Sequence, residues 1–148
     1  MNEWMCRAKS IETDLWVYGS LVVISDYLDG KQIFCIVPDN AVLLPHNEID
    51  EIVPVREETI GRYAGMNDVY GRCIFEGDIV SYEMDSVYHN CPYTVIGPVI
   101  FSDCCYIPLA FGSNIKLIGN KIDNPALYER SKNGRKEFNM DKYQNTTY

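Results

Sequence analysis

The chain has 148 residues, 47% of them hydrophobic, and a formal net charge of −8. One domain of this length, or two small subdomains, buries enough surface to fold without a disulfide or a metal. The acidic charge argues against direct binding of nucleic acid by the body of the protein, and no apolar run is long enough for a membrane helix.

No signal peptide precedes the first predicted strand, so we expect a soluble cytoplasmic protein whose six cysteines are reduced. The charge is uneven along the chain. Residues 1–129 hold 8 Lys and Arg against 19 Asp and Glu, a net charge of −11, whereas residues 130–148 hold 5 against 2. We interpret residues 131–148 as a flexible basic tail.

Alternating or continuous apolar residues predict an N-terminal β subdomain over residues 1–55. Its predicted strands are residues 3–9, 14–18, 21–27, 31–37 and 52–55. Gly19 and Ser20 are expected to end the second strand. Asp29 and Gly30 are expected to form a two-residue hairpin turn, because both residues tolerate the positive φ that such a turn requires. The strand that follows is apolar on both faces, which predicts a central strand covered on each side.

Glycine-marked turns divide residues 56–130 into short strands typical of a small β-barrel. Gly65 and Gly71 flank one predicted turn, and Gly77 with Asp78 forms another, in which the carboxylate accepts nearby backbone N–H groups. The predicted strands are residues 60–63, 73–75, 79–84, 95–101, 106–111 and 115–119. Asn124 is expected to cap a short helix that begins near Pro125.

Two motifs carry a family resemblance. The first is residues 59–65 (TIGRYAG), followed by Asp68, Gly71 and residues 75–80 (FEGDIV), and the second is residues 118–127 (IGNKIDNPAL). Together they resemble the YopX-like family of phage and prophage proteins over about residues 3–129. The resemblance implies an SH3-like barrel or pseudo-barrel, a bacterial host cell and no assigned molecular activity. The fold class we expect is therefore all-β with minor α content.

Few residues in the sequence have the type and spacing of a catalytic or metal site. Glu76 and Asp78 are two acids near one turn, which turn chemistry explains without catalysis. His89, Cys91, Cys104 and Cys105 lack the usual spacing of zinc ligands, because adjacent cysteines on a strand point to opposite faces. Phosphate-binding and nucleophile motifs are absent. We therefore predict no catalytic residue, no metal ligand and no cofactor.

Tyrosines offer a candidate partner-binding surface, since Tyr is enriched at protein interfaces. The residues we select are Tyr63, Tyr70, Tyr82, Tyr88 and Tyr93. The alternative interpretation is that these rings fill the core and close the ends of the barrel.

Three functions stay open. The first is a non-enzymatic protein-binding or assembly module that forms a homo-oligomer and has an unknown protein partner. The second is an acidic mimic of DNA that inhibits a host nucleic-acid-binding protein. The third is a metal-assisted hydrolase built on residues 89–105.

Overall fold

The computed structural model describes residues 5–46, 48–86, 91–133 and 135–138, the last segment by its backbone alone. Strands account for 52% of the structure and helix for 9%, with a curled half-barrel sheet and one short C-terminal helix, so the predicted all-β class with minor α content is confirmed. The chain divides into two compact units, Met1–Gly65 and Met66–Tyr148. In the described part of the chain, no helix has the length and apolar character needed to cross a membrane.

The first unit contains antiparallel strands in the spatial order β4-β3-β2-β1-β5. Its strands are Met5–Lys9 (β1), Trp16–Ser25 (β2), Gln32–Pro38 (β3), Val53–Pro54 (β4) and Gly61–Asn67 (β5), the last of which contains the division between the units. Ala8, Ile36 and Val55 form its buried apolar cluster. The partly buried side chains that pack against this cluster are Val17, Phe34, Val53 and Ile60.

The segment after β4 belongs to the first unit, so the division falls ten residues later than the predicted boundary at residue 55. The backbone N–H of Arg56 donates to the carbonyl of Lys9 at 2.9 Å. The Thr59 hydroxyl accepts the N–H of Lys9 at 2.8 Å and donates to the carbonyl of Arg56 at 2.7 Å. These bonds tie residues 56–59 to β1, a long-range pairing that no local pattern reveals.

The predicted break at Gly19 is wrong, because β2 runs through it without interruption. Gly19 lies opposite Cys6 on β1 and Pro38 on β3. A Cβ atom at Gly19 would lie 2.0 Å from the carbonyl oxygen of Val37. Glycine is therefore needed here for close strand approach rather than for a turn.

The predicted two-residue hairpin turn is also wrong. The last pair between β2 and β3 is Ser25 with Gln32, which leaves a six-residue loop, 26–31. The Asp26 carboxylate accepts the N–H of Leu28 at 2.7 Å, and the Asp29 carboxylate accepts the N–H of Lys31 at 2.8 Å. These side-chain bonds to the backbone favour the wider loop over the tight turn.

The second unit contains a four-stranded antiparallel sheet, β11-β7-β8-β12, and a two-stranded hairpin, β9-β10. Its elements are Cys73–Phe75 (β6), Asp78–Met84 (β7), Tyr93–Pro98 (β8), Ile100–Ser102 (β9), Cys105–Ile107 (β10), Ser113–Asn120 (β11), the helix Pro125–Lys132 (α1) and Arg135–Phe138 (β12). The strand predicted over residues 106–111 ends at Ile107, since the N–H groups of Phe111 and Gly112 both donate to the carbonyl of Pro108 and form a turn.

The C-terminal predictions need two corrections. Residues 131 and 132 complete α1, and β12 pairs with β8 over residues 93–96, so the predicted flexible tail does not begin at residue 131. Residues 139–148 lie outside the described residues. The Asn124 side chain makes no capping bond to α1, because its oxygen accepts the N–H of Asn120 at 3.2 Å instead.

Candidate interaction surface

The buried carboxylate of Asp68 organises the turn between β5 and β6. Its Oδ1 accepts the backbone N–H groups of Tyr70 and Arg72, both at 2.9 Å. Its Oδ2 accepts the Arg72 Nε–H at 2.8 Å and the Leu117 N–H at 3.1 Å. Arg72 Nη2 also donates to the Leu117 carbonyl at 2.9 Å. Asp68 and Arg72 together hold this turn against β11.

The same contacts fix the ionisation of Asp68. Burial alone raises the pKa of this carboxyl, but the bonds from the Arg72 side chain and from three backbone N–H groups outweigh burial and lower the pKa from 3.8 to about 2. The group therefore stays ionised at neutral pH. A general acid or base needs a pKa near the working pH, so the properties of Asp68 fit a structural role.

The turn at Gly77 and Asp78 is held in a similar way. The Asp78 side chain is buried, and its Oδ2 accepts the Phe75 N–H at 2.8 Å. Gly77 has φ +88°, and a Cβ atom at this position would lie 3.1 Å from the Lys121 side chain. Glu76 is half-buried. The structure thus directs Asp78 inward to brace the turn.

The second motif forms a compact hydrogen-bonded loop after β11. Asn120 Oδ1 accepts the N–H groups of Ile122 and Asp123 at 3.0 and 2.9 Å. A Cβ atom on Gly119 would lie 2.7 Å from Asn124 Oδ1. The glycine and the two asparagines therefore fit one another, and this motif positions the start of α1.

The selected tyrosines occupy different environments. Tyr70 is 70% exposed, with the Arg72 guanidinium 5.4 Å from its ring centre. Tyr82 and Tyr93 lie on one face of the β7–β8 pair, and burial together with the proximity of Tyr93 raises the pKa of Tyr82. Tyr63 is half-buried, and Tyr88 lies outside the described residues.

Tyr82 packs against glycines. A Cβ atom at Gly112 would lie 2.5 Å from the Tyr82 ring, and one at Gly97 would lie 3.3 Å from it. The ring fills a space that these two residues leave open. Tyr82 is thus a packing residue, and of the five selected tyrosines Tyr70 offers the largest described contact area.

The described residues provide few of the groups that the metal-assisted hydrolase hypothesis requires. Among the described residues, no group of three or more His, Cys, Asp or Glu side chains lies close enough to hold a metal ion. His89, which that hypothesis needs, lies outside the described residues. A shallow pocket of about 40 Å³ lies between α1 and β8, lined by Ile96, Leu127, Arg130 and Ser131. It holds little more than a water molecule, whereas small-molecule sites occupy roughly 300–1,000 Å³.

A surface that the sequence analysis did not select lies in the first unit. We define the arm as residues 21–33, the outer parts of β2 and β3 with their connecting loop. At its tip, Tyr27 is 99% exposed and Leu28 is 91% exposed. Four further large apolar side chains of the arm are between 36% and 45% exposed: Leu21, Val23, Ile24 and Ile33.

The face of the hairpin that is buried in the core of the first unit continues into the arm, where its apolar side chains are exposed. Cross-strand pairing places Leu21 beside the buried Ile36 and Val23 beside Phe34, on the same face. Ile24 pairs with Ile33 on the opposite face. Both faces of the arm are therefore apolar and exposed, and the prediction that residues 33–37 are covered on each side is wrong for the outer end of β3.

The structure therefore defines an all-β protein whose motif residues hold turns together and whose first unit presents an apolar arm. The family model described as YopX protein matches residues 7–129, and the chain belongs to the YopX family. The resemblance drawn from the motifs is thereby confirmed. Neither the curated proteins nor the solved structures give a significant match.

Proposed function

We propose that this YopX-family chain is a phage- or prophage-encoded protein-binding or assembly module that performs no catalysis and acts in the cytoplasm of a bacterial host. The observation that supports this proposal is the arm. Contiguous exposed apolar surface of this kind typically marks a protein-interaction site.

The construction of the arm supports a binding role. Asp26 and Asp29 use their carboxylates to hold the backbone of the loop that carries Tyr27 and Leu28 at its tip. Because the backbone is already held, binding through this aromatic and this aliphatic side chain costs less conformational freedom than binding through an unbonded loop. The buried acids of the second unit fit the same proposal, since Asp68 and Asp78 bond to turns of their own chain.

Photo-cross-linking tests this function directly. A photoreactive phenylalanine analogue replaces Tyr27 in the full chain, expressed in a bacterial cell that carries the phage genome. Matched positions are Tyr70, the exposed tyrosine of the second unit, and Glu129, an exposed polar residue of α1. We expect a discrete protein adduct from position 27 and none from position 129.

The outcomes separate the candidate surfaces. An adduct from position 27, whether to another protein or to a second copy of the chain, supports the arm as the binding surface. An adduct from position 70 alone supports the surface around Tyr70, rather than the arm, as the binding surface. Absence of an adduct from both positions contradicts a protein-binding function for either surface.

The charge distribution favours the DNA-mimic function as a second candidate. Residues 1–65 hold 5 Lys and Arg against 11 Asp and Glu, a net charge of −6, whereas residues 66–148 hold 8 against 10, a net charge of −2. A mimic concentrates negative charge on one part of its surface. Competition between the purified chain and duplex DNA for a basic host DNA-binding protein tests this function. Unchanged DNA affinity in the presence of excess chain would reject it.

A further inference from the structure

We infer that the occupant of the arm is the arm of a second copy of this chain, in a two-fold symmetric dimer. This inference rests on the proposed binding function and names its partner. A two-fold interface uses the same patch on both subunits, so one self-complementary surface is enough to form it.

The exposed apolar area of the arm suits such an interface. The tip and one face of the arm carry four of its exposed large apolar side chains, Leu21, Val23, Tyr27 and Leu28, which together present roughly 500–600 Å². A standard protein–protein interface buries about 800 Å² per partner. Two arms packed through their tips and one face therefore supply more than half of a standard interface.

The charges of the arm are also self-complementary. It carries two acids, Asp26 and Asp29, and one base, Lys31, all close to its tip and exposed. When two arms pack side by side about a two-fold axis that runs along them, their tips meet, and the Lys31 of one arm can approach the acids of the other. The net charge of each arm is only −1, against −6 for residues 1–65 as a whole.

This charge pattern separates a second copy from a basic partner protein. Two acidic copies repel each other over their remaining surface, so added salt screens the repulsion and strengthens the dimer. A basic partner is attracted to the acidic first unit, so added salt weakens that complex. The sign of the salt dependence therefore distinguishes a second copy from a basic partner protein.

Sedimentation equilibrium on the purified full chain tests the inference, at total concentrations from about 1 to 100 μM and at low and high salt. We expect a monomer–dimer equilibrium whose dissociation constant falls as salt rises. The variant Tyr27→Ser with Leu28→Asp should raise that constant at least tenfold. The matched control, Tyr70→Ser with Phe111→Ser, removes two exposed aromatic side chains of the second unit and should leave it unchanged.

Circular dichroism melting curves check that both variants fold, which we expect because all four replaced side chains are largely exposed. A dimer that persists unchanged in the arm variant overturns the inference, as does a wild-type chain that stays monomeric at every concentration. If the chain is monomeric but position 27 cross-links to another protein, the inference fails and the proposed function stands. If the chain is monomeric and no position cross-links, both fail.

Discussion

The two units differ in how many of their large apolar side chains they bury. Among the described residues, the first unit buries six hydrophobic side chains and exposes fourteen large ones, whereas the second unit buries eight and exposes eight. The first unit also carries most of the net negative charge. The second unit relies more on polar bonds, in which Asp68, Asp78 and Asn120 each hold a turn.

We interpret this difference as separate roles for the two units. The second unit satisfies its buried polar groups internally, which gives a turn-rich structure one defined arrangement. The first unit has a small core, and its apolar stripe continues outward along the arm. Monomeric soluble proteins rarely expose contiguous apolar surface of this extent, which is why we propose that the first unit carries the binding surface. Four experiments test this difference between the two units.

The largest expected effect on stability is at Gly19, in the first unit. Gly19→Ala should lower the free energy of unfolding by about 3 kcal/mol or more, because its Cβ atom meets the backbone of β3. The matched control is Gly30→Ala, which has open space around it and a φ of +69°, and should cost about 1 kcal/mol. Chemical denaturation measures both values. Equal losses at the two positions would contradict the close strand approach at Gly19.

The next effect is at Asp68, in the second unit. Asp68→Asn removes the charge that Arg72 and three backbone N–H groups stabilise, so we expect a loss of about 2 kcal/mol. Hydrogen exchange should show reduced protection of the amides of residues 66–133 and a smaller reduction of protection in β1 and β2. An equal reduction of amide protection in both units would indicate that Asp68 does not act locally.

Acid should weaken the same turn. The pKa of Asp68 is lowered in the folded state from 3.8 to about 2, so the ionised carboxylate stabilises the protein fully above about pH 4. This contribution is lost as the pH falls from about 4 to 2. Denaturation at a series of pH values should show a smaller loss in this range for Asp68→Asn than for the wild type. Parallel curves for the two proteins would exclude the carboxylate as a source of acid sensitivity.

The smallest effect on stability is expected at the tip of the arm. Leu28→Ser should change the free energy of unfolding by no more than about 0.5 kcal/mol, because the side chain is 91% exposed. Ile36→Ser, on the same hairpin and fully buried, should cost about 3 kcal/mol and serves as the contrast. Denaturation measured at low protein concentration separates these effects from association. A large loss for Leu28→Ser under those conditions would place this side chain in the core of its own chain.

Local chemistry in the sequence determined much of this protein. Gly71 and Gly77 adopt the positive φ expected of turn glycines, and β6 begins and ends at the predicted residues. Gly65 also has a positive φ, but it lies inside β5 rather than in the predicted turn. Asp78 braces its turn as the sequence predicts. These features depend on residues within a few positions of one another, so conformational preferences and side-chain bonds to the backbone suffice to predict them.

Long-range packing, rather than any local pattern, produces the uninterrupted β2, the later division between the units and the exposed arm. Gly19 is needed because the carbonyl oxygen of Val37 on β3 lies too close to it for a Cβ atom, and Thr59 belongs to the first unit because it bonds to Lys9. The apolar pattern of residues 21–37 predicts a sheet that becomes covered, but it cannot show whether the same chain or a partner covers it. That choice depends on where the neighbouring strands end, which is a property of long-range packing.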